Sequence, residues 1–303
     1  MACIKNVAHA GASGALGKAV LQGLVDAGFN VTILSRAAGK VPSSFANKIK
    51  EATVDYNDLA SLKSALAGID AVVSTLGAPA VGDAQRNLVD ASVEAGVRRF
   101  IPSNFGCDQQ NSLARQLPVF AEKVKTEDYL AEKAKTSPLS YTFIYNNLFL
   151  DWGITNGSLV NLKEKNVTQY NGGKLPVSVT RLETVGKAVA GVLHNPEATA
   201  NRSVRIEDGK VSYAQLAQWA QEAVPGSWTT PEVDTNELKA KADEALGKGV
   251  FDDWVWFNYI LQGGINEAYG PSFKDVDNKL LGLKGLSAQE LEDYVKTTIK
   301  QNI

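Results

Sequence analysis

The chain has 303 residues, 44% hydrophobic and 21% charged, an ordinary globular composition with enough apolar material for one large α/β domain, alone or with a smaller appendage. Its 31 basic and 33 acidic side chains nearly cancel without any dense Lys/Arg block, so the charge footprint of a nucleic-acid binder is missing. Cys3, Cys107, His9 and His194 are poor material for a disulfide framework or a metal site, and no apolar run is long enough to span a bilayer.

From the N-terminus, residues 1–10 carry one lysine and then a short apolar stretch that runs into a glycine loop. They read as a first strand rather than a signal peptide, so the expectation is a cytoplasmic protein with no membrane or nucleic-acid partner. Strand-like runs recur at 4–10, 30–34, 49–53, 71–75, 99–101 and 141–144. Helix-like segments at 15–27, 59–67, 83–95 and 119–135 lie between them, a rhythm that implies βαβ units and a mostly parallel sheet. Gly28 and Gly96 each follow an apolar-periodic run, where a helix wants a left-handed cap. Beyond about Leu150 the pattern loosens into turn-rich pieces with short strands at 167–170 and 204–206. Helices resume at 182–193, 213–223, 235–245, 252–261 and 288–299. The expected architecture is a Rossmann-type doubly wound parallel sheet over 1–150, joined by parts of about 180–206, with a smaller C-terminal α/β substrate domain over 151–303. The aromatic run of Phe251, Trp254, Trp256, Phe257 and Tyr259 reads either as the core of one helix or as a substrate-pocket wall.

Gly11-Ala12-Ser13-Gly14-Ala15-Leu16-Gly17 sits between a strand-like and a helix-like run. A tight turn needs positive φ, a pyrophosphate needs close backbone approach, and a helix N-terminus offers N–H groups and partial positive charge, so this loop reads as a dinucleotide site. Nineteen positions after Gly17, where an NAD-binding fold places an acid for the ribose hydroxyl, the chain has Ser35-Arg36. A guanidinium there can grip a 2′-phosphate, with no carboxylate to repel it, which favours NADPH. Lys40 or Lys48 could add a second charge. Asp55 could cap a turn or meet the adenine. The loops Ser74-Thr75-Leu76-Gly77 and Pro102-Ser103-Asn104-Phe105-Gly106 end the next two strands and should face the same ligand, because ligands lie beyond the carboxyl ends of parallel strands.

Together with Leu66-Ala67-Gly68-Ile69-Asp70, Gly96 to Gly106, Phe120-Ala121-Glu122-Lys123, Tyr141 to Ile144 and Thr180 to Lys187, these segments give the resemblance. The chain resembles the isoflavone reductase-like, NmrA-type atypical short-chain dehydrogenases, especially the fungal members, over most of its length. The resemblance implies NADPH and hydride transfer to a carbonyl or conjugated double bond of an aromatic or polycyclic small molecule. It implies that Lys123 is both the catalytic acid/base and a ligand of the nicotinamide ribose. It also implies that Asn146, Asn147 and Phe149, with Phe105, line the substrate pocket, to which Trp254 and Phe257 are added as the wall candidates above.

A rival dyad exists in Tyr129 and Lys133, at the spacing of ordinary short-chain dehydrogenases. Tyr129 lies six residues from Lys123, about 600° of helical turn, so the two cannot simply line one pocket. Plant phenylpropanoid reductases of the family often carry arginine one turn after the lysine, where this chain has Glu127, so their substrates do not transfer. His9 reads as a hydrogen-bonded core residue and His194 as a favourable helix C-terminal charge. Two other readings stay open: a dinucleotide-sensing regulator, against which Lys123 argues, and a non-redox enzyme with tightly held cofactor. A monomer or homodimer is expected.

Overall fold

The structure is a computed structural model that describes residues 3–39, 45, 49–77 and 82–303. The first half runs β1 (Asn6–Ala10), α1 (Ala15–Asp26), β2 (Asn30–Ser35), β3 (Ile49–Thr53), α2 (Leu59–Ala65), β4 (Ala71–Ser74), α3 (Asp83–Glu94), β5 (Arg99–Ile101), α4 (Ala121–Thr136) and β6 (Ser140–Tyr145). The second half continues through β7 (Leu148–Phe149), α5 (Leu150–Thr155), β8 (Gln169–Tyr170), β9 (Val177–Thr180), α6 (Leu182–His194), β10 (Arg202–Arg205), β11 (Gly209–Val211) and α7 (Tyr213–Ala223). It ends with β12 (Glu232–Val233), α8 (Thr235–Gly247), α9 (Asp253–Ile265) and α10 (Ala288–Gln301).

Seven strands form one parallel sheet in the order β10-β6-β5-β4-β1-β2-β3. Strand alternation sends Val7 and Val73 to one face, under α1 and α6, and Ala8 and Val72 to the other, under α2, α3 and α4. This is the expected doubly wound α/β arrangement. It reverses direction between β1 and β4, the position at which such sheets open a crevice for ligands. Two glycines set the spacing on the first face. A Cβ on Gly23 of α1 would lie 2.5 Å from the Gly186 backbone of α6, and one on Gly186 would lie 2.3 Å from the Ala19 carbonyl oxygen. Gly28 and Gly96 take φ of +83° and +75°, the left-handed caps their positions call for.

The C-terminal part does not fold as one block after Leu150. α6 and β10 return to the large sheet, with β10 as its edge strand beside β6. The remainder builds a small sheet in the order β11-β9-β7, the pair β12-β8, and the helices α5, α7 and α10, which share a core of Leu150, Val179, Trp219, Val295 and Ile299. α8 and α9 close over the segment after β5, where Cys107, Leu117 and Phe120 pack against Ala242, Val255 and Tyr259. Among the described residues no helix is long and apolar enough to cross a membrane, and no His/Cys/Asp/Glu group could hold a metal ion.

Candidate active site

The turn after β1 depends on missing side chains. Gly11 has φ +87°, and a Cβ there would sit 2.6 Å from the Thr75 carbonyl at the end of β4. A Cβ on Gly17 would reach 2.1 Å from the Gly11 oxygen, so α1 must start against its own loop. Gly14 N-caps α1 without any side-chain cap, no acid occupies the first turn, and Ser13, Gly14 and Ala15 are exposed, with Leu16 half-buried behind them. The first-turn N–H groups thus face an open cradle suited to an anion. Below it, buried His9 places Nε2 3.0 Å from Thr75 Oγ1, which itself donates to the Ala10 carbonyl. His9 therefore donates from Nε2 and is neutral, burial having pushed its pKa down to about 3.

At the end of β2, Arg36 is exposed and has no ion-pair partner among the described residues. Ser35 is turned inward, its hydroxyl directed at the Ala37 carbonyl (2.8 Å) and Glu51 Oε1 (2.9 Å). Glu51 also accepts from Gly39 N–H at 2.9 Å. This corrects the expectation of a carboxylate-free loop: β3 lies beside β2 in parallel register, which brings Glu51 under the loop that carries Arg36. Lys40 and Lys48 lie outside the described residues. Asp55 forms a local turn, accepting from Asn57 N–H at 2.9 Å.

The loop after β5 is pinned from three sides. Ser103 donates to the Leu76 carbonyl at 2.8 Å, tying it to Thr75-Leu76-Gly77, and its N–H donates to Gln85 Oε1 at 2.8 Å. Asn104 is buried and donates through Nδ2 to Glu127 Oε1 at 2.7 Å. Asn146 Oδ1 accepts from Gly106 N–H at 2.9 Å. On this loop Lys123, half-buried in the first turn of α4, donates from Nζ to the Phe105 carbonyl at 2.7 Å, with its charge over the Phe120 ring. Burial lowers its pKa from the ordinary lysine value, opposed by the nearby Glu127 carboxylate.

Lys123 opens onto a cavity of about 740 Å³ between the loop after β5, the β7–α5 segment, the Asn156–Asn166 turns and α9. Phe105, Phe149 and Phe257 line it, joined by Phe120, Trp152, Tyr170 and Tyr213. Asn147 lines it as well, but with φ +48° its Nδ2 donates to the carbonyls of Ser178, Gly264 and Pro271, knotting three segments. Two expected pocket residues are elsewhere. Asn146 is fully buried beneath Gly106, and Trp254 stands outside the cavity at 47% exposure. The aromatic run therefore divides: Tyr259 is core with Trp256 packed against it, Phe257 forms wall, and Phe251 and Trp254 are exposed.

The Tyr129–Lys133 pair belongs to the opposite side of α4. Tyr129 donates to Asp90 of α3 at 2.6 Å, and Lys133 pairs with the same carboxylate at 2.6 Å. Glu127, one turn after Lys123, is buried and accepts from Asn104, from Tyr145 (2.6 Å) and from Arg115 (2.7 Å). Burial raises its pKa, against the pull of those hydrogen bonds and of Arg115. Sequence reasoning gave Gln85, Trp152 and Tyr213 no role. His194 stacks on Phe29 at 4.8 Å between ring centroids, at the far end of α6.

The NmrA-like family model matches residues 4–250. The chain belongs to the NmrA-like family. It is 32% identical over 295 residues to oxidoreductase aprR of Aspergillus flavus, covering 96% of this chain and 97% of that one. It is 24% identical over 304 residues to the phenylcoumaran benzylic ether reductase Betv6 of Betula pendula, covering 96% and 95%. Among solved structures, the binary complex of leucoanthocyanidin reductase with NADPH from Vitis vinifera superposes with a TM-score of 0.77 at 21% identity, over 97% of this chain and 99% of that one. AtPrR2 with NADP+ and (+)pinoresinol gives 0.75 at 19%, over the whole of both chains.

The buried Glu127 makes a pH-dependent prediction. Its carboxyl has a raised pKa in the fold, so its contribution to stability worsens as pH rises through that value, and the Arg115 charge limits the loss. Arg115→Met, which also breaks the pair with Asp128, should cost roughly 2–4 kcal/mol at about pH 7.5 and clearly less at about pH 5 in urea unfolding. A deficit independent of pH would contradict the assignment.

Proposed function

We propose that this protein is an NADPH-dependent reductase acting on a carbonyl or conjugated double bond of an aromatic small molecule, with Lys123 as the group that moves the proton. The observation that carries this reading is the position of Lys123. Its ammonium stands where the pinned loop beside the glycine cradle meets a cavity walled by aromatic rings. The oxidoreductases and NADP-bound reductases among the relatives and structural neighbours support it.

In this reading residues 1–150, with 180–206, serve the nucleotide, and residues from 151–303 complete the substrate cavity. The cradle of Gly11 to Gly17 fits a pyrophosphate because side chains are excluded there and the N–H groups of α1 are uncapped. Arg36 holds the 2′-phosphate through its guanidinium fork. Thr75, Leu76, Gly77, Ser103 and Phe105 would border the nicotinamide end. NADPH supplies the hydride. Lys123, with one acceptor in the protein, keeps two N–H donors for the nicotinamide ribose and the substrate oxygen. Its lowered pKa eases release of a proton to an oxygen or enolate that gains charge. The aromatic walls exclude water from that transfer. An ammonium beside such a cavity favours turnover over dinucleotide sensing without chemistry.

A screen of aromatic ketones, enones and quinones for NADPH oxidation tests the reading. Lys123→Ala should keep NADPH binding within several-fold, followed by nucleotide fluorescence, while kcat falls on the order of 10²-fold or more. Unchanged turnover in that variant would remove Lys123 from the mechanism. Arg36→Ala should weaken NADPH roughly tenfold or more and leave NADH unaffected. Equal losses for both nucleotides would overturn the 2′-phosphate assignment.

A further inference from the structure

The carboxylate of Glu51 closes the loop that follows β2. Its Oε1 lies 2.9 Å from the Ser35 hydroxyl and its Oε2 accepts from the Gly39 N–H at 2.9 Å, so one side chain grips two residues four positions apart. Between them run Arg36, Ala37 and Ala38, all exposed and in neither helix nor strand. The Ser35 hydroxyl also lies 2.8 Å from the Ala37 carbonyl, which draws the loop in on itself. Arg36 has no ion-pair partner among the described residues, so Glu51 holds the loop and leaves the guanidinium free at the surface. A loop outside regular structure loses backbone freedom when it grips a ligand, and closing it beforehand removes part of that loss from the binding step.

We infer that Glu51 is a positioning residue for nucleotide selection: by clasping Ser35 and Gly39 it presets the loop from which Arg36 grips the 2′-phosphate. This rests on the proposed role of Arg36. The carboxylate never touches the nucleotide in this account, and its own charge opposes a phosphate. It favours NADPH only through the shape it gives the loop, so shape and charge act in opposite directions and can be separated by substitution. Glutamine keeps the shape without the charge. Its Oε1 accepts from the Gly39 N–H, its Nε2 donates to the Ser35 oxygen, and the Ser35 hydroxyl donates to the Ala37 carbonyl, so each group in the clasp stays paired. Alanine removes both.

Dissociation constants of NADPH and NADH, read by nucleotide fluorescence, test this in Glu51→Ala, Glu51→Gln, Arg36→Ala and the double variant Glu51→Ala/Arg36→Ala. Glu51 lies on β3, the edge strand of the large sheet, and is only half-buried, so these changes leave the core intact. Glu51→Ala should weaken NADPH about fivefold and leave NADH unchanged. Glu51→Gln should bind NADPH at least as tightly as the wild type. The double variant should bind NADPH no more weakly than Arg36→Ala alone, because Glu51 acts through Arg36. Tighter NADPH binding in Glu51→Ala, equal losses for both nucleotides, or a loss in Glu51→Gln as large as in Glu51→Ala would overturn the inference. So would full additivity in the double variant. A selective loss of NADPH in Arg36→Ala with none in Glu51→Ala overturns this inference alone, whereas equal losses of both nucleotides in Arg36→Ala take down the 2′-phosphate assignment and this inference with it.

Discussion

Everything at the candidate site leans on one contact, the Lys123 ammonium donating to the Phe105 carbonyl at 2.7 Å. A charged amine in a half-buried position is tolerated only with acceptors near it, and here the acceptor is a backbone oxygen whose loop is held from several directions. Gln85 holds Ser103, Glu127 holds Asn104, and Asn146 holds Gly106. These three side chains come from α3, α4 and the exit of β6, so both the sheet and the helices on one of its faces fix where the ammonium stands. The same arrangement leaves Lys123 at the cavity, held by a backbone carbonyl instead of an ion pair.

A second constraint is steric. The cradle exists because Gly11 and Gly17 let the β1–α1 turn press on the end of β4 and on its own helix. That contact lies where the order of the parallel strands reverses, so the fold and the open cradle have a common cause. The small sheet β11-β9-β7 then sets β7 and α5 beside the loop after β5, and α9 closes the far side. The cavity is thus shared between the large sheet's loops and the smaller part of the chain, and a substrate held there would contact both.

Much of this was legible in the sequence because it depends on local pattern. Short β-rich runs between helix-like segments marked β1 to β6, and the glycines marked the turn, the caps and the start of α1. Lys123 was found through the family resemblance, which implies a catalytic lysine on the helix after the Pro102–Gly106 loop. Features set by tertiary neighbours were not legible. Glu51 meets Ser35 only because β3 lies against β2, and no local motif announces it. Asn146 and Asn147 are adjacent and chemically identical, yet one secures a loop and the other lines the cavity, a difference made by the positive φ of Asn147. On α9, Trp254 and Phe257 are three residues apart, and the docking of that helix leaves one outside the cavity and the other in its wall. The strands β7, β9 and β11 are too short to show a period.

The most direct test is a crystal structure of the protein grown with NADP+. The account predicts pyrophosphate on the turn from Gly11 to Gly17, the 2′-phosphate at Arg36, and the nicotinamide ribose at Lys123 with its ring facing the cavity. A nucleotide bound with its nicotinamide away from Lys123, or with its 2′-phosphate clear of Arg36, would contradict it.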